Sequence, residues 1–399
     1  MPNSPTEADV VVVGAGVIGL TSAWRLLQLG LRVVVIDPAP ASGASHAAAG
    51  LLAPVTELHY GEERLLALNL ESARAYPGFV AELQAVTGHD VGYRSCGTLA
   101  VAADSDDLAW LEELRRYQVS LGLDVERLTS RECRRREPGL SPGVRGGVFV
   151  SGDHQVDPRR LTAALLEACR RLGVRVRRDR VDAVDTRAGT VAGVLLESGA
   201  AISAPAVVVA AGAWTSSLGG LPAESLPPVR PVKGQIARLR PRPTGSGSTD
   251  HAAPLLDGNV RGLVQGRSVY YAPRSDGELV IGATVEEQGF DTAVTAGGIL
   301  DLLRDAYALV PGVYELELHE VTAGLRPGTP DNAPVIGAGA IDGLVWATGH
   351  FRNGVLLAPV TGAAVAALVG GSGLPDAAAA FGVDRFGPHS RPERAVRAS

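Results

Sequence analysis

The sequence predicts an α/β fold with α+β character in its second half: a parallel-sheet domain flanked by helices, with a β-rich domain interleaved into it. Three observations carry this. The chain opens with a strand, a glycine turn, a helix and a second strand. Apolar runs of the kind buried on both faces recur at 206–211 and 344–347. Between 221 and 322, helical periodicity gives way to alternating strands and turns. A length of 399 residues suits two or three domains.

Each element has a local signal. Residues 9–13 (DVVVV) read as the first buried strand, and 17–29 as a helix closed by Gly30. Residues 33–36 give the second parallel strand. A small-residue segment, 42–54, precedes a long helix at about 62–87. Strand 93–102 and helix 104–122 follow, and Thr129 with Glu132 has capping-box spacing for a short helix before Pro138. Asp157-Pro158 starts a helix that runs to Leu172, with the acid at N-cap and proline at N1. Strands are expected at 174–184 and 191–197 around a turn at Ala188-Gly189. The first domain's pattern returns near Leu325 and ends in a helix after Pro359. The segment 241–248 is rich in Pro, Gly and Ser, and the polar tail from Gly387 is expected to fray.

Composition excludes several classes. A formal net charge of −6 argues against a nucleic-acid partner, since such proteins need a basic face. The basic runs 134–136 and 175–180 have acidic neighbours and read as solvated faces. Arginine nearly replaces lysine, Lys233 being the only one, so arginine abundance marks no site. Cys96, Cys133 and Cys169 form no CxxC pair, which excludes a zinc cluster or a disulfide framework and fits a reducing, cytoplasmic setting. No metal-ligand cluster or Ser-His-Asp arrangement stands out. The N-terminus lacks the basic and apolar regions of a secretory signal. The apolar stretch 355–370 is short for a bilayer and contains Pro359, so a buried helix is expected and no membrane partner.

Gly14, Gly16 and Gly19 form GAGVIG between the first strand and helix. The first permits the turn, the second lets backbone approach a pyrophosphate, and the third allows close helix–strand packing. Asp37 ends the second strand, where an acid can hold ribose hydroxyls. The expectation is a Rossmann-like domain for an adenine dinucleotide. FAD suits it better than NAD, because 41–54 is a run of small residues able to lie against a cofactor. Two more small-residue strand ends, VAAG at 209–212 and ATGH at 347–350, fall at the sheet's carboxyl edge, where ligands bind.

Here the pattern becomes specific. VVVGAGVIG (11–19), SHAAAGLL (45–52), PVKGQ (231–235), YYAPR (270–274), GATVE (282–286), GLRPGTPDNAPVIG (324–337) and GHFRNGVLLAP (349–359) occur in this order from end to end. The set resembles the D-amino-acid oxidase superfamily of flavoproteins, and most closely the glycine oxidases of thiamine biosynthesis. That resemblance implies an FAD-binding domain of residues 1–88, 150–220 and 322–399, and a substrate-binding domain of 89–149 and 221–321. It places Gly14, Gly16, Val17, Ile18 and Gly19 at the cofactor turn, Asp37 at the adenosine ribose, and Ala44 and Ser45 near the diphosphate. Ala49, Gly50 and Leu51 fall beside the flavin ring, and Val181 on the adenine side. Gly212 and the segment His350, Phe351, Arg352, Asn353, Gly354, Val355 and Leu356 complete the cofactor set. Arg326 is implied to grip the substrate carboxylate, assisted by Tyr270, with Arg352 bordering the substrate. The HGxS motif of covalent-flavin relatives is absent, so noncovalent FAD is implied. His46, Ser268 and Val285 depart from the family pattern and leave the amine preference open.

The implied chemistry needs positioning rather than a catalytic side chain, because the flavin carries the redox step. A guanidinium fork matches a carboxylate with two charge-assisted bonds. Tyr270 and Tyr271 must face opposite sides of their strand, and the motif favours Tyr270 for the pocket. Lys233 could serve reduced flavin or oxygen, or be structural. The expected activity is oxidation of glycine, sarcosine or small D-amino acids by O2 to a 2-oxoacid, ammonia or amine, and hydrogen peroxide. A quinone-linked D-amino-acid dehydrogenase and a non-catalytic dinucleotide-binding module are the alternatives. The resemblance also implies a homotetramer.

Overall fold

A computed structural model describes residues 8–242 and 254–387. The N-terminal heptapeptide, most of the Pro/Gly/Ser-rich segment and the tail after Gly387 lie outside them.

The opening strand, Val10–Val13, is buried along its whole length. Val10 and Val12 face one hydrophobic cluster, and Val11 and Val13 face another, so a continuous valine run satisfies both sides of the sheet. It pairs in parallel with Val33–Ile36 and Ala206–Val209. Leu344–Thr348 and Arg175–Arg177 extend this sheet in parallel, and Val335–Ala338 adds an antiparallel edge. The six strands bring four small-residue turns to one edge.

The eight-stranded second sheet runs in the order Glu317–Gly328, Arg230–Arg240, Leu279–Gly282, Arg267–Pro273, Asn259–Val264, Thr98–Ala102, Gly146–Val150, Glu126–Thr129. The chain enters it twice, around the helices Ser105–Ser120 and Ser130–Arg136, and again after residue 229. Its first two strands pair from Arg240↔Glu317 to Arg230↔Gly328. The second sheet therefore continues to Gly328, beyond the return expected near Leu325.

Capping chemistry fixes the helices where it was legible. Thr129 and Glu132 complete a reciprocal capping box. The Asp157 carboxylate accepts the Arg159 and Arg160 amides, with Pro158 in the first turn of Pro158–Arg171. Leu29 caps the first helix, Val17–Gln28, and Gly30 follows it at φ +79°. The apolar stretch from 355 forms the helix Ala358–Val369, packed where Gly362 lets it approach Thr21. Among the described residues, no helix is long and apolar enough to cross a membrane.

Three expectations needed correction. The strand expected at 174–184 is two strands. Arg175–Arg177 joins the six-stranded sheet, whereas Val181–Arg187 pairs with Thr190–Leu196 in a separate three-stranded sheet. The strand expected from residue 93 begins at Thr98, preceded by an isolated bridge at Arg94. The β-rich stretch also contains a full helix, Ala296–Leu309. Glycines at 297 and 298 suggest a loop, but Leu302, Ala306 and Leu309 lie on one helical face and bury against the second sheet.

Candidate functional site

A cavity of about 1240 Å³ is lined by the carboxyl edge of the six-stranded sheet at one end and by the second sheet at the other. Small-molecule pockets run to about 300–1,000 Å³, so this volume suits a cofactor and a substrate together.

At the first end, Gly14 has φ +103°, and a Cβ there would stand 2.4 Å from the Ala210 carbonyl oxygen. Gly16 caps the first helix without a side chain, so the helix's positive end opens on the cavity. Two loops tie this turn down. The Ala15 amide donates to Asp37 Oδ2 at 2.7 Å, and the Val17 amide donates to Ser45 Oγ at 3.0 Å. Asp37 also accepts the Ala39 amide through Oδ1. It thus has a structural duty beside any ribose contact. Ser45 accepts from the helix through its oxygen and keeps its own proton to donate.

Of the residues marked from sequence, Gly14, Gly16, Val17, Ile18, Asp37, Ala44, Ser45, Ala49, Gly50, Leu51, Val181 and Gly212 line the cavity. So do Tyr270, Arg326, His350, Phe351, Arg352, Gly354 and Val355. Gly19, Asn353 and Leu356 do not. A Cβ on Gly19 would stand 1.9 Å from the Gly14 carbonyl oxygen, so this glycine serves helix–strand packing. Asn353 and Leu356 are buried behind the loop, where the Leu356 carbonyl accepts Ser72 Oγ. His350 is buried, and its Nε2 lies 2.9 Å from Thr361 Oγ1. Burial pushes its pKa down to about 3, so it stays neutral. Thr215 and Thr348 hydroxyls, 2.6 Å apart, tie two of the strand ends together.

These features fit FAD. A glycine turn and a helix start whose N-cap residue carries no side chain suit the pyrophosphate, and Asp37 follows the strand beside them. Ala49, Gly50 and Leu51 give a small-residue bed further along.

The second end is built by strand alternation. In register, Arg326 lies opposite Val232, Gly324 opposite Gly234, and Ile236 opposite Gly282. Gly282 in turn lies opposite Tyr270, and Tyr270 opposite Arg261. Directly opposed residues share a face, so Arg326, Tyr270 and Arg261 point to the same side. Tyr271 faces away, buried, with its hydroxyl donating to the Ala306 carbonyl at 2.8 Å.

Arg326 lies flat over Gly234, where a Cβ would be 2.3 Å from Nη1. Its Nη1 donates to the main-chain carbonyls of Thr284, at 3.2 Å, and Lys233, at 3.5 Å. Five arginines line the cavity, and the other four have carboxylate partners. Arg180 pairs with Glu197, Arg261 with Glu57, Arg267 with Asp305, and Arg352 with Glu62. Among the described residues, Arg326 is the cavity arginine left with none. The Tyr270 phenol is pushed up, chiefly by burial, and stays protonated as a donor.

Lys233 sits on the opposite face of its strand from Gly234. It is 1% exposed and pairs with Glu286 at 3.5 Å and Asp291 at 3.3 Å. It does not line the cavity, which removes the flavin or oxygen role considered for it.

Sequence reasoning passed over Glu57, His59, Tyr60 and Glu62, which also line the cavity. They lie between the small-residue segment and the long helix, Glu63–Thr87, without a local motif. Buried Asp153 anchors this segment by accepting the Val55 and Thr56 amides and the Thr56 hydroxyl. Ser268 and Val285, two departures from the family pattern, both border the cavity, with Val285 71% exposed. The three cysteines are free. No group of His, Cys, Asp and Glu suited to a metal occurs among the described residues.

Residues 9–368 match the family model described as FAD dependent oxidoreductase, DAO. The Bifunctional protein ThiO/ThiG of Synechocystis sp. is 36% identical over 392 residues, covering 96% of this chain and 54% of that protein. The chain thus spans about half the length of that relative. The glycine oxidase of Geobacillus kaustophilus is 35% identical over 364 residues, 90% of this chain and 92% of that one. The crystal structure of glycine oxidase from Geobacillus kaustophilus superposes with a TM-score of 0.84 at 32% identity, covering 97% of this chain and 99% of that one. With the family model spanning most of the sequence, this chain belongs to the FAD dependent oxidoreductase (DAO) family.

Proposed function

We propose that the protein oxidises glycine and other small amines or amino acids, such as sarcosine and small D-amino acids, with noncovalent FAD. Glycine, O2 and water give glyoxylate, ammonia and hydrogen peroxide. The observation that carries this reading is Arg326, a cavity guanidinium free of carboxylate partners and laid over Gly234. FAD when bound supplies the two-electron acceptor. The chain's own residues do the rest. Arg326 takes the substrate carboxylate through its planar fork, and the neighbouring Tyr270 hydroxyl adds a second donor. Holding the carboxylate fixes where the Cα–H points, which is the positioning that the reaction requires. Ala49, Gly50 and Leu51 would give the cofactor a mostly apolar bed with little side-chain bulk. We place the enzyme in the cytoplasm, as a homo-oligomer, in thiamine biosynthesis. This follows its likeness to glycine oxidases. The test is spectral: glycine and sarcosine added without oxygen should bleach the flavin bands, and peroxide should appear once oxygen is admitted. Absence of bleaching with every small amine would end the proposal.

A further inference from the structure

The cavity holds a second charged group that carboxylate binding at Arg326 does not use. Glu57 pairs with Arg261, and Arg352 pairs with Glu62 while its Nε lies 4.0 Å from Glu57. Arg352 also donates to the Glu57 main-chain carbonyl at 3.2 Å. The four side chains are between 10% and 17% exposed and all line the cavity. Their charges cancel, two against two, whereas Arg326 has no carboxylate partner among the described residues. Arg261 is no distant surface group, because it lies opposite Tyr270 in the register, on the same face of the sheet. Tyr270, Arg326, Glu57 and Arg261 all line the one cavity.

We infer that Glu57 sets specificity by charge. It neutralises Arg261 inside the substrate cavity and so confines the enzyme to substrates with one carboxylate. Amino acids bearing a second carboxylate, on the nitrogen substituent or the side chain, are turned away by the Glu57 carboxylate. The spacing supports this. Four inter-strand steps, about 19 Å, and four residues along the strands, about 13 Å, put the backbones of Arg326 and Arg261 about 23 Å apart, and two arginine arms of roughly 6 Å leave a gap of about 11 Å that a short diacid can span. Without the Glu57 charge, Arg261 would become a second carboxylate site facing the first.

The inference rests on Arg326 as the carboxylate site, and its test uses binding rather than turnover. Butyrate and glutarate, which share a three-carbon chain and carry one and two carboxylates, are titrated calorimetrically into the FAD-loaded protein at low salt. The parent should prefer butyrate. Glu57→Gln, nearly isosteric, should raise the glutarate-to-butyrate affinity ratio about tenfold or more, since the charge lies in a poorly solvated cavity. Adding Arg261→Gln should return the ratio to within about threefold of the parent. Arg261→Gln alone, which leaves Glu57 unneutralised, should depress the ratio below the parent's, and it supplies the reading if Glu57→Gln does not fold. An unchanged ratio in the folded single variants, or a rise that survives in the double variant, overturns the role of Glu57. Loss of the carboxylate site is a separate outcome: butyrate binding that persists in Arg326→Ala would overturn the proposed function instead.

Discussion

At the scale of single residues, the proposed mechanism rests on Arg326, because glycine offers so little else to hold: a carboxylate, an amine and one carbon. Charge-assisted hydrogen bonds in a poorly solvated site contribute on the order of 2–3 kcal/mol. Arg326→Ala is expected to fold and keep FAD, yet lose roughly 30- to 150-fold in kcat/KM for glycine. Arg326→Lys should recover only part, since an ammonium keeps the charge without the fork. An amine lacking a carboxylate should respond to neither change, and steady-state kinetics with both substrates separates the two cases. Near-normal glycine kinetics in the alanine variant would make Arg326 a structural residue. Arg352 would not replace it easily, because its guanidinium is already engaged by Glu62 and by the Glu57 main chain.

At the scale of elements, the substrate end depends on which face of a strand each residue takes. Gly234 lies between Lys233 and Gln235, both turned to the other side and satisfied there by Glu286. Only the absence of a side chain at 234 lets Arg326 lie against the sheet. In Gly234→Ala the new Cβ meets the end of a flexible side chain, so the guanidinium moves aside and the strand stays. We expect a loss of at least tenfold in kcat/KM for glycine, on the order of 1.4 kcal/mol or more, with a melting temperature close to the parent's. A large fall in melting temperature would show that the strand, not the site, had been damaged. The dinucleotide end follows the same logic on a helix: Gly14 and Gly19 are where backbone meets backbone, and the pyrophosphate cradle follows from that contact.

At the scale of the whole molecule, two cores meet around a cavity, and the ligand that fills it ties them together. A ligand at a hundred times its dissociation constant adds about 2.7 kcal/mol to the folded state. Removal of FAD should therefore lower the melting temperature by a few degrees, with recovery when FAD is added back, as scanning fluorimetry would show. Acid precipitation should leave the yellow chromophore in the supernatant, where it runs as FAD. Flavin retained in the pellet would contradict noncovalent binding, and a melting temperature indifferent to FAD would contradict a cavity built for it.

What the sequence alone determined was everything governed by neighbours along the chain. The valine run at 10–13, the glycine turn after it, the Thr129 capping box and the Asp157-Pro158 helix start each answer to local sterics and hydrogen bonding. That Arg326 and Tyr270 would border the cavity was legible as well, though through family motifs rather than through physics. What only the tertiary structure decided was which distant charges share a space. Glu57 and Arg261 stand 204 positions apart, and nothing near either one announces the other. Lys233 looked available until strand alternation turned it away from the cavity and burial paired it with Glu286 and Asp291. The helix Ala296–Leu309 formed despite glycines in its first turn, because its apolar face is buried against the second sheet. Local propensity is written residue by residue, whereas the charge balance of a cavity exists only after folding has brought its walls together.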